Sequence, residues 1–270
     1  MGQSPGTRQT RRQTMTIRKA MTLFEFLIVV IVIVALALIL MPSLSSTGRV
    51  SHRTVCATNL KSIGSVLAIY ADGSQDHLPI FPATKNLQWL CDESHAFFTT
   101  AVGIAQASTA QSIQTEGIRK WFYCPDNTTQ DHPTLESWNA ITITGYIFFN
   151  NRGKDATSMP QIFPKRPPEA PALQYHDQLM ATENPTDTEL AADWIISNSD
   201  DSAKATFTKI DRPGSPPLQF STSHLNGKKP SGANILAFDC HVAWRPFTPA
   251  KATPIKQPGP SPAYFWLPNP

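Results

Sequence analysis

The longest pattern in the chain is an unbroken apolar run. From Phe26 to Met41 every side chain is apolar (FLIVVIVIVALALILM), and the stretch reaches back to Met21 with only Thr22 and Glu25 as polar interruptions. About 20 helical residues at 1.5 Å each span roughly 30 Å, the thickness of a bilayer's hydrocarbon core, so residues 21–44 are expected to form a transmembrane helix. Ahead of it, residues 1–20 carry Arg8, Arg11, Arg12, Arg18 and Lys19 and no carboxylate. Basic flanks stay cytoplasmic, which predicts a single pass through the inner membrane, a short cytoplasmic N-terminus and a C-terminal head on the periplasmic or extracellular side.

Beyond the run the period changes. Within Ser51–Ala71, Cys56, Leu60, Ile63, Leu67 and Tyr70 recur at spacings of four and three, one face of an amphipathic helix with Arg53 and Lys61 turned to water. Residues 45–72 are thus expected to continue the first helix, and Asp72-Gly73-Ser74 ends it with turn chemistry. Further along, Ile141–Phe149 is rich in β-branched and aromatic residues and predicts a strand. Asn86–Thr100 reads as helix or loop, Met159–Pro171 as a proline-rich surface loop, and Thr188–Ser197 as strand or short helix. Asn234–Phe238 and His241–Arg245 are apolar, β-prone runs around Asp239-Cys240, the layout of a hairpin with a two-residue turn. Thr248–Pro270 reads as a proline-rich extended tail whose Tyr264, Phe265 and Trp266 can dock on the head or a neighbour. The expected fold is α+β: a long N-terminal helix, half transmembrane and half amphipathic, packed on an antiparallel β-sheet head (residues 73–247), then the tail (248–270).

Composition trims the alternatives. Among 270 residues, 24 prolines outnumber 13 glycines and only 16% are charged, which argues against a coiled coil, a highly charged disordered chain and a helical repeat array. A net charge of +3 gives no global basic field for nucleic acid.

Glu25 carries most of the functional information. A carboxylate at the start of a membrane helix costs a few kcal/mol unless paired, so it calls for a reason. Three readings compete for the segment: a cleaved secretory signal cut near Leu44–Thr47, a plain anchor in which Glu25 snorkels to the interface, and a signal cut before the apolar run. In the third, cleavage between Ala20 and Met21 places a new α-amino group one helical turn from Glu25. Between neighbouring subunits of a filament that charge pair could set the axial register.

The residues RKA followed by MTLFEFLIVVIVIVALALILMPSLS resemble the class III signal of type IV prepilins and type II secretion pseudopilins. Ala20 stands where that family usually has Gly, and Met21 where it usually has Phe. The resemblance implies recognition of Ala20, Met21, Thr22 and Leu23 by a prepilin peptidase, methylation of Met21, and assembly through the apolar helix, with Glu25 pairing with the Met21 amine and Pro42 bending or locally melting the helix. The match of NLKSIGSVLAIYADGSQDHLP (Asn59–Pro79) is to a group of pseudopilin-like proteins with a C-terminal His-to-Asp-Gly motif, abundant in planctomycete- and verrucomicrobia-type bacteria. FYCPDN (Phe122–Asn127) resembles that group's Cys-Pro segment, and ITGYIFFNNR (Ile143–Arg152) its strand and Asn-rich turn. His224, Asp239, His241 and Val242 match its C-terminal motif, with Cys240 where Gly is expected.

That substitution matters because a tight primed turn needs positive φ, which costs a cysteine on the order of 1 kcal/mol. Either the turn is of another type or something holds it, such as a disulfide through Cys240. Four cysteines allow three complete pairings. The preferred one joins Cys56 to Cys124, tying the helix to the Cys-Pro loop, and leaves Cys91 with Cys240. His224, Asp239 and His241 could bind zinc, but Asp239 is well explained as a turn residue and His241 as a packed one, so no metal and no cofactor is assigned. Asp187, Glu189, Asp193, Asp200 and Asp201 form the only acidic group dense enough for calcium. No catalytic motif occurs, so the chain is read as a structural subunit and not an enzyme. Its expected partners are a prepilin peptidase, other pilin-type subunits and the inner membrane. The rival is a membrane-anchored periplasmic binding or metal-binding protein that does not assemble.

Overall fold

The computed structural model describes residues 22–79, 89–91, 119–130, 141–149, 178–179, 184–212, 218–257 and 263–270. The chain divides into two compact units, Met1–Thr47 and Gly48–Pro270. A helix, α1 (Leu23–Gly73), begins in the first and ends in the second. Its backbone stays helical through position 42, so the helix is not melted at Pro42.

In the first unit, Leu23–Leu38 presents Leu, Phe, Ile and Val on every side of the helix, most of them more than 40% exposed. No helix among the described residues is long and apolar enough to cross a membrane. This overturns the transmembrane assignment, and with it the single-pass inner-membrane placement.

The second unit is mostly β. Its strands are short: β1 (Trp89–Cys91), β2 (Ile141–Ile143), β3 (Tyr146–Phe148), β4 (Glu189–Asp193), β5 (Ile196–Ser197), β6 (Ile210–Arg212), β7 (Leu218–Phe220), β8 (Leu225–Asn226), β9 (Lys229–Pro230), β10 (Gly232–Ala237), β11 (Val242–Pro246), β12 (Ala252–Lys256) and β13 (Tyr264–Pro268). Among the described residues they form five small sheets, β1-β2, β11-β10-β4-β3, β12-β13-β5, β6-β7 and β8-β9, with each of these pairings antiparallel. The expected α+β fold, one sheet carried by a long half-transmembrane helix, is therefore corrected to a predominantly β head to which only the Gly48–Gly73 part of α1 belongs. Turn chemistry and bends cut the chain into strands of two to six residues, too short to build one broad sheet.

The central sheet is buried on both faces. Tyr146, Phe148, Leu190 and Leu236 join Leu60, Ile63 and Leu67 of α1 in one apolar cluster. Ile147, Ala192 and Ile235, pointing the other way by the two-residue period, join Phe265 and Leu267 of β13 in a second. Each fully buried Leu or Ile in these layers contributes about 1.5–3 kcal/mol relative to exposure. Helix and sheet approach closely at Gly64, where a Cβ would lie 2.7 Å from Leu236 Cδ1.

Several expected elements are redrawn. Ile141–Phe149 is two strands, because the chain turns at Thr144-Gly145 and leaves the β1-β2 sheet for the central one. A Cβ on Gly145 would sit 3.1 Å from Phe122 O and 3.2 Å from Cys124 N, so this glycine lets the Cys-Pro segment back onto the strand. Thr188–Ser197 is likewise two strands, β4 and β5, bent at Trp194-Ile195 so that each serves a different sheet. Thr248–Pro270 is no tail within its described part: β12 and β13 pair, and Phe265, Trp266 and Leu267 are core. Asn86–Thr100 is described only at β1, and Met159–Pro171 lies outside the described residues.

The β10-β11 hairpin has a three-residue loop, Phe238-Asp239-Cys240, not two. Ala237 N–H donates to His241 O at 2.9 Å, Cys240 N–H closes on Ala237 O at 2.9 Å, and Cys240 has φ +64°. That is a type I turn followed by a left-handed residue, the position that prefers glycine. Lys61 Nζ donates to Cys240 O at 2.7 Å, and the Cys240 thiol meets Gly64 O at 3.4 Å. Lys61, expected only to face water, thus pins the turn. Cys240→Gly should raise stability by about 1 kcal/mol by removing the left-handed penalty. Urea unfolding checks this; a lower midpoint would show that the thiol contact outweighs the strain.

Candidate functional site

Two places hold chemistry. The first is the start of α1, where Thr22 is the N-cap: its Oγ1 accepts from Glu25 N–H at 3.2 Å, and Glu25 Oε2 accepts from Thr22 N–H at 3.4 Å. This reciprocal Thr-x-x-Glu capping box satisfies two donors that a helix start leaves open. Glu25 therefore has a local role that the spacing of Thr22 and Glu25 alone would have disclosed. Ala20 and Met21 lie outside the described residues, and Leu23 opens the helix.

The second is a buried polar cluster in the head, assembled from four segments. Cys56 comes from the inner face of α1, Cys124 from the turn after the short 3-10 segment Arg119–Phe122, Asp193 from the end of β4, and His224 from the bend before β8. Cys56 Sγ and Cys124 Sγ are 2.6 Å apart, and Cys124 Sγ is 3.6 Å from His224 Nε2. His224 Nε2 also faces Asp193 Oδ2 at 3.0 Å, while its Nδ1 faces Asp126 Oδ2 at 3.5 Å. Asp193 Oδ2 accepts from both Asn234 N–H and Asn234 Nδ2 at 2.8 Å. On the outer side, His52 Nδ1 meets Asp126 Oδ1 at 3.1 Å. His224 has φ +25°, a strained backbone held by Ser231, whose N–H and hydroxyl both donate to His224 O.

Arg53, expected in water, lies over the Trp244 ring at 3.9 Å, and the His224 ring meets Trp244 edge-on. Val50, Arg53, Asp126, His224 and Trp244 help to line a cleft of about 270 Å³ above the cluster.

Burial would push His224 towards the neutral form, but hydrogen bonds to Asp126, Asp193 and Cys124 outweigh it, so its pKa is pushed up to about 12. Burial raises the Cys124 thiol, and hydrogen bonds from Cys56 and then His224 reverse this, bringing it to about 7. Cys56 is pushed strongly up, first by its hydrogen bond to Cys124 and then by burial. His224 also holds Asp126 below the usual carboxylate range against the opposing effect of burial, with help from His52.

The donor set fits three chemistries on type alone: a bound soft metal, a thiolate nucleophile backed by His and Asp, or a sulfur–sulfur bond. Cys56, Cys124 and His224 are the only group of three metal-ligating side chains that the described residues bring together. A nucleophile needs room for its substrate, and Cys124 is 2% exposed with Cys56 against its sulfur.

The residues expected to share a site are dispersed. His224 belongs to this cluster, whereas Asp239 and His241 pair with each other at the β10-β11 turn, where Asp239 Oδ1 also accepts from His241 N–H. Of the acidic group, Glu189 pairs with Arg245, Asp193 with His224, and the exposed Asp201 with Lys204. Cys91 lies on β1, paired with Ile141, and its side chain is outside the described set. No sequence motif marks Asp126, Asn234 or Arg53 as site residues, and Asp126 alone carries a signal, its place two residues past Cys124. No protein-family model matches the chain, and neither a curated protein nor a solved structure is detectably similar to it.

Proposed function

We propose that this chain is a pilin-like structural subunit, cut by a prepilin peptidase between Ala20 and Met21, methylated at Met21, and assembled through the apolar part of α1 into a type IV pilus-like or type II secretion-type filament. The observation that carries the reading is the N-terminal helix. A helix apolar all round requires cover, and no described residue covers Leu23–Leu38. Equivalent helices of further subunits supply it while burying no ionisable side chain between Leu23 and Leu38 other than Glu25. The resemblance of RKA-MTLFEF to prepilin signals supports the cut, and the capping box starts the helix just beyond it.

Mass spectrometry of the mature protein tests the reading: an N-methylated Met21 is expected, and an intact leader or a cut after Leu44 overturns it. Two variants separate the roles of Glu25. Glu25→Gln keeps an acceptor for the capping box but removes the charge that pairs with the Met21 amine, so it should be processed normally and assemble poorly. Glu25→Ala should lose both. Normal filaments from Glu25→Gln would mean that Glu25 serves only as a cap.

A further inference from the structure

We propose that Cys56 and Cys124 are the site of an intramolecular disulfide that locks the Gly48–Gly73 part of α1 to the head. The reading is independent of filament assembly and rests on the geometry of the cluster. A disulfide places its sulfurs about 2.05 Å apart. Two thiolates on one tetrahedral zinc, each at about 2.3 Å from the ion, stand roughly 3.8 Å apart. At 2.6 Å the two sulfurs lie nearer the first arrangement.

The rest of a zinc shell is also engaged elsewhere. His224 Nε2 and Asp193 Oδ2, which would complete a four-donor set, face each other at 3.0 Å, and Asp193 Oδ2 accepts twice from Asn234. His224 Nδ1 faces Asp126 Oδ2 and Nε2 faces Asp193 Oδ2, so both ring nitrogens already have carboxylate partners. The cluster's order then makes sense: a neutral cross-link beside a histidine held between two acids.

The bond forms by thiol–disulfide exchange with a protein or small-molecule disulfide as oxidant. The Cys124 thiolate attacks one sulfur of that disulfide, and the other leaves as a thiolate. Cys56 then gives up its proton, attacks Cys124 Sγ and displaces the second thiolate. Two thiols lose two electrons and two protons, and the oxidant becomes two thiols. Both sulfurs are closed off in the docked head, Cys56 at 0% and Cys124 at 2% exposure, so exchange precedes docking of the helix.

The test uses the full chain isolated without reductant, denatured, alkylated and digested. The expected result is a Cys56 peptide linked to a Cys124 peptide, with neither sulfur alkylated until reductant is added. Alkylation of both without reduction overturns the proposal, as does any other partner for either cysteine. Release of one zinc ion per chain on thiol modification, read with a metal indicator, also overturns it in favour of a metal centre. Because the measurement is on the unsubstituted protein, a variant that fails to fold cannot confuse it.

Discussion

Asp193→Ala is expected to lower the folding stability of the head by about 3–5 kcal/mol, the usual cost of removing one partner from a buried charged pair. Its side chain is fully buried, and through Oδ2 it accepts from Asn234 N–H, Asn234 Nδ2 and His224 Nε2. Alanine leaves all three donors without that acceptor, in a place water does not reach. The readout is a fall in urea midpoint at unchanged denaturant slope. A midpoint shift equivalent to less than about 1 kcal/mol would mean that the network relaxes onto Asp126, and the central role given to Asp193 would be wrong.

Alkaline destabilisation of the cross-linked chain is the second large effect. With both cysteines as thiols His224 is pushed up to about 12, against about 6.5 for an unperturbed imidazole; the cross-link removes the Cys124 hydrogen bond and leaves Asp126 and Asp193 to hold the ring above its ordinary value. Between those values the folded state holds a proton that the unfolded state has released, so stability falls as pH rises. The contribution is complete below about 6.5 and is lost as pH climbs through the raised folded value, with a slope of at most about 1.4 kcal/mol per pH unit. The groups facing the ring are Asp126 with His52 behind it, Asp193, and the Cys124 sulfur, with Arg53 across Trp244.

Reduction adds a titrating thiol of the opposite sign. A Cys124 thiol held at about 7 contributes stability that is present above its unfolded value and lost as pH falls through about 7. Denaturant midpoints from pH 7 to about 8.5 should therefore fall for the protein as isolated and flatten after reduction. His224→Gln should remove the fall in the oxidised protein. Equal slopes in the oxidised parent and in His224→Gln would show that the ring is not charged in the folded state.

Local patterns were legible in the sequence and tertiary ones were not. Spacings of four and three marked Cys56, Leu60, Ile63 and Leu67 as one helical face, and all four are buried. The same spacing turns Arg53 and Lys61 outward, and Lys61 is exposed, but nothing in a helical period reports their contacts with Trp244 and the Cys240 carbonyl, which arrive from far along the chain. The length of the apolar run implied a membrane span, a conclusion that the described helix does not sustain. Proline content suggested a tail at the C-terminus, yet Phe265, Trp266 and Leu267 had a sheet edge to join at β5. At the cluster, His224 shares a sequence motif with Asp239, while its partners in the fold, Asp126 and Asp193, lie in the Cys-Pro turn and at the end of β4. Separations of 68 residues between the cysteines and 100 between Cys124 and His224 leave no periodic trace.

Those separations also set an order of events in folding. The β10-β11 and β12-β13 hairpins close short loops and can form within microseconds, whereas bringing Cys56 to Cys124 must close a 68-residue span first. This loop arithmetic predicts a nucleus in the C-terminal hairpins and late arrival of the helix, which low φ-values at Leu60 and Leu67 would bear out. Slow arrival leaves both thiols open to an oxidant until docking, so the proposed cross-link would tether the helix to the head before the last folding step closes over it.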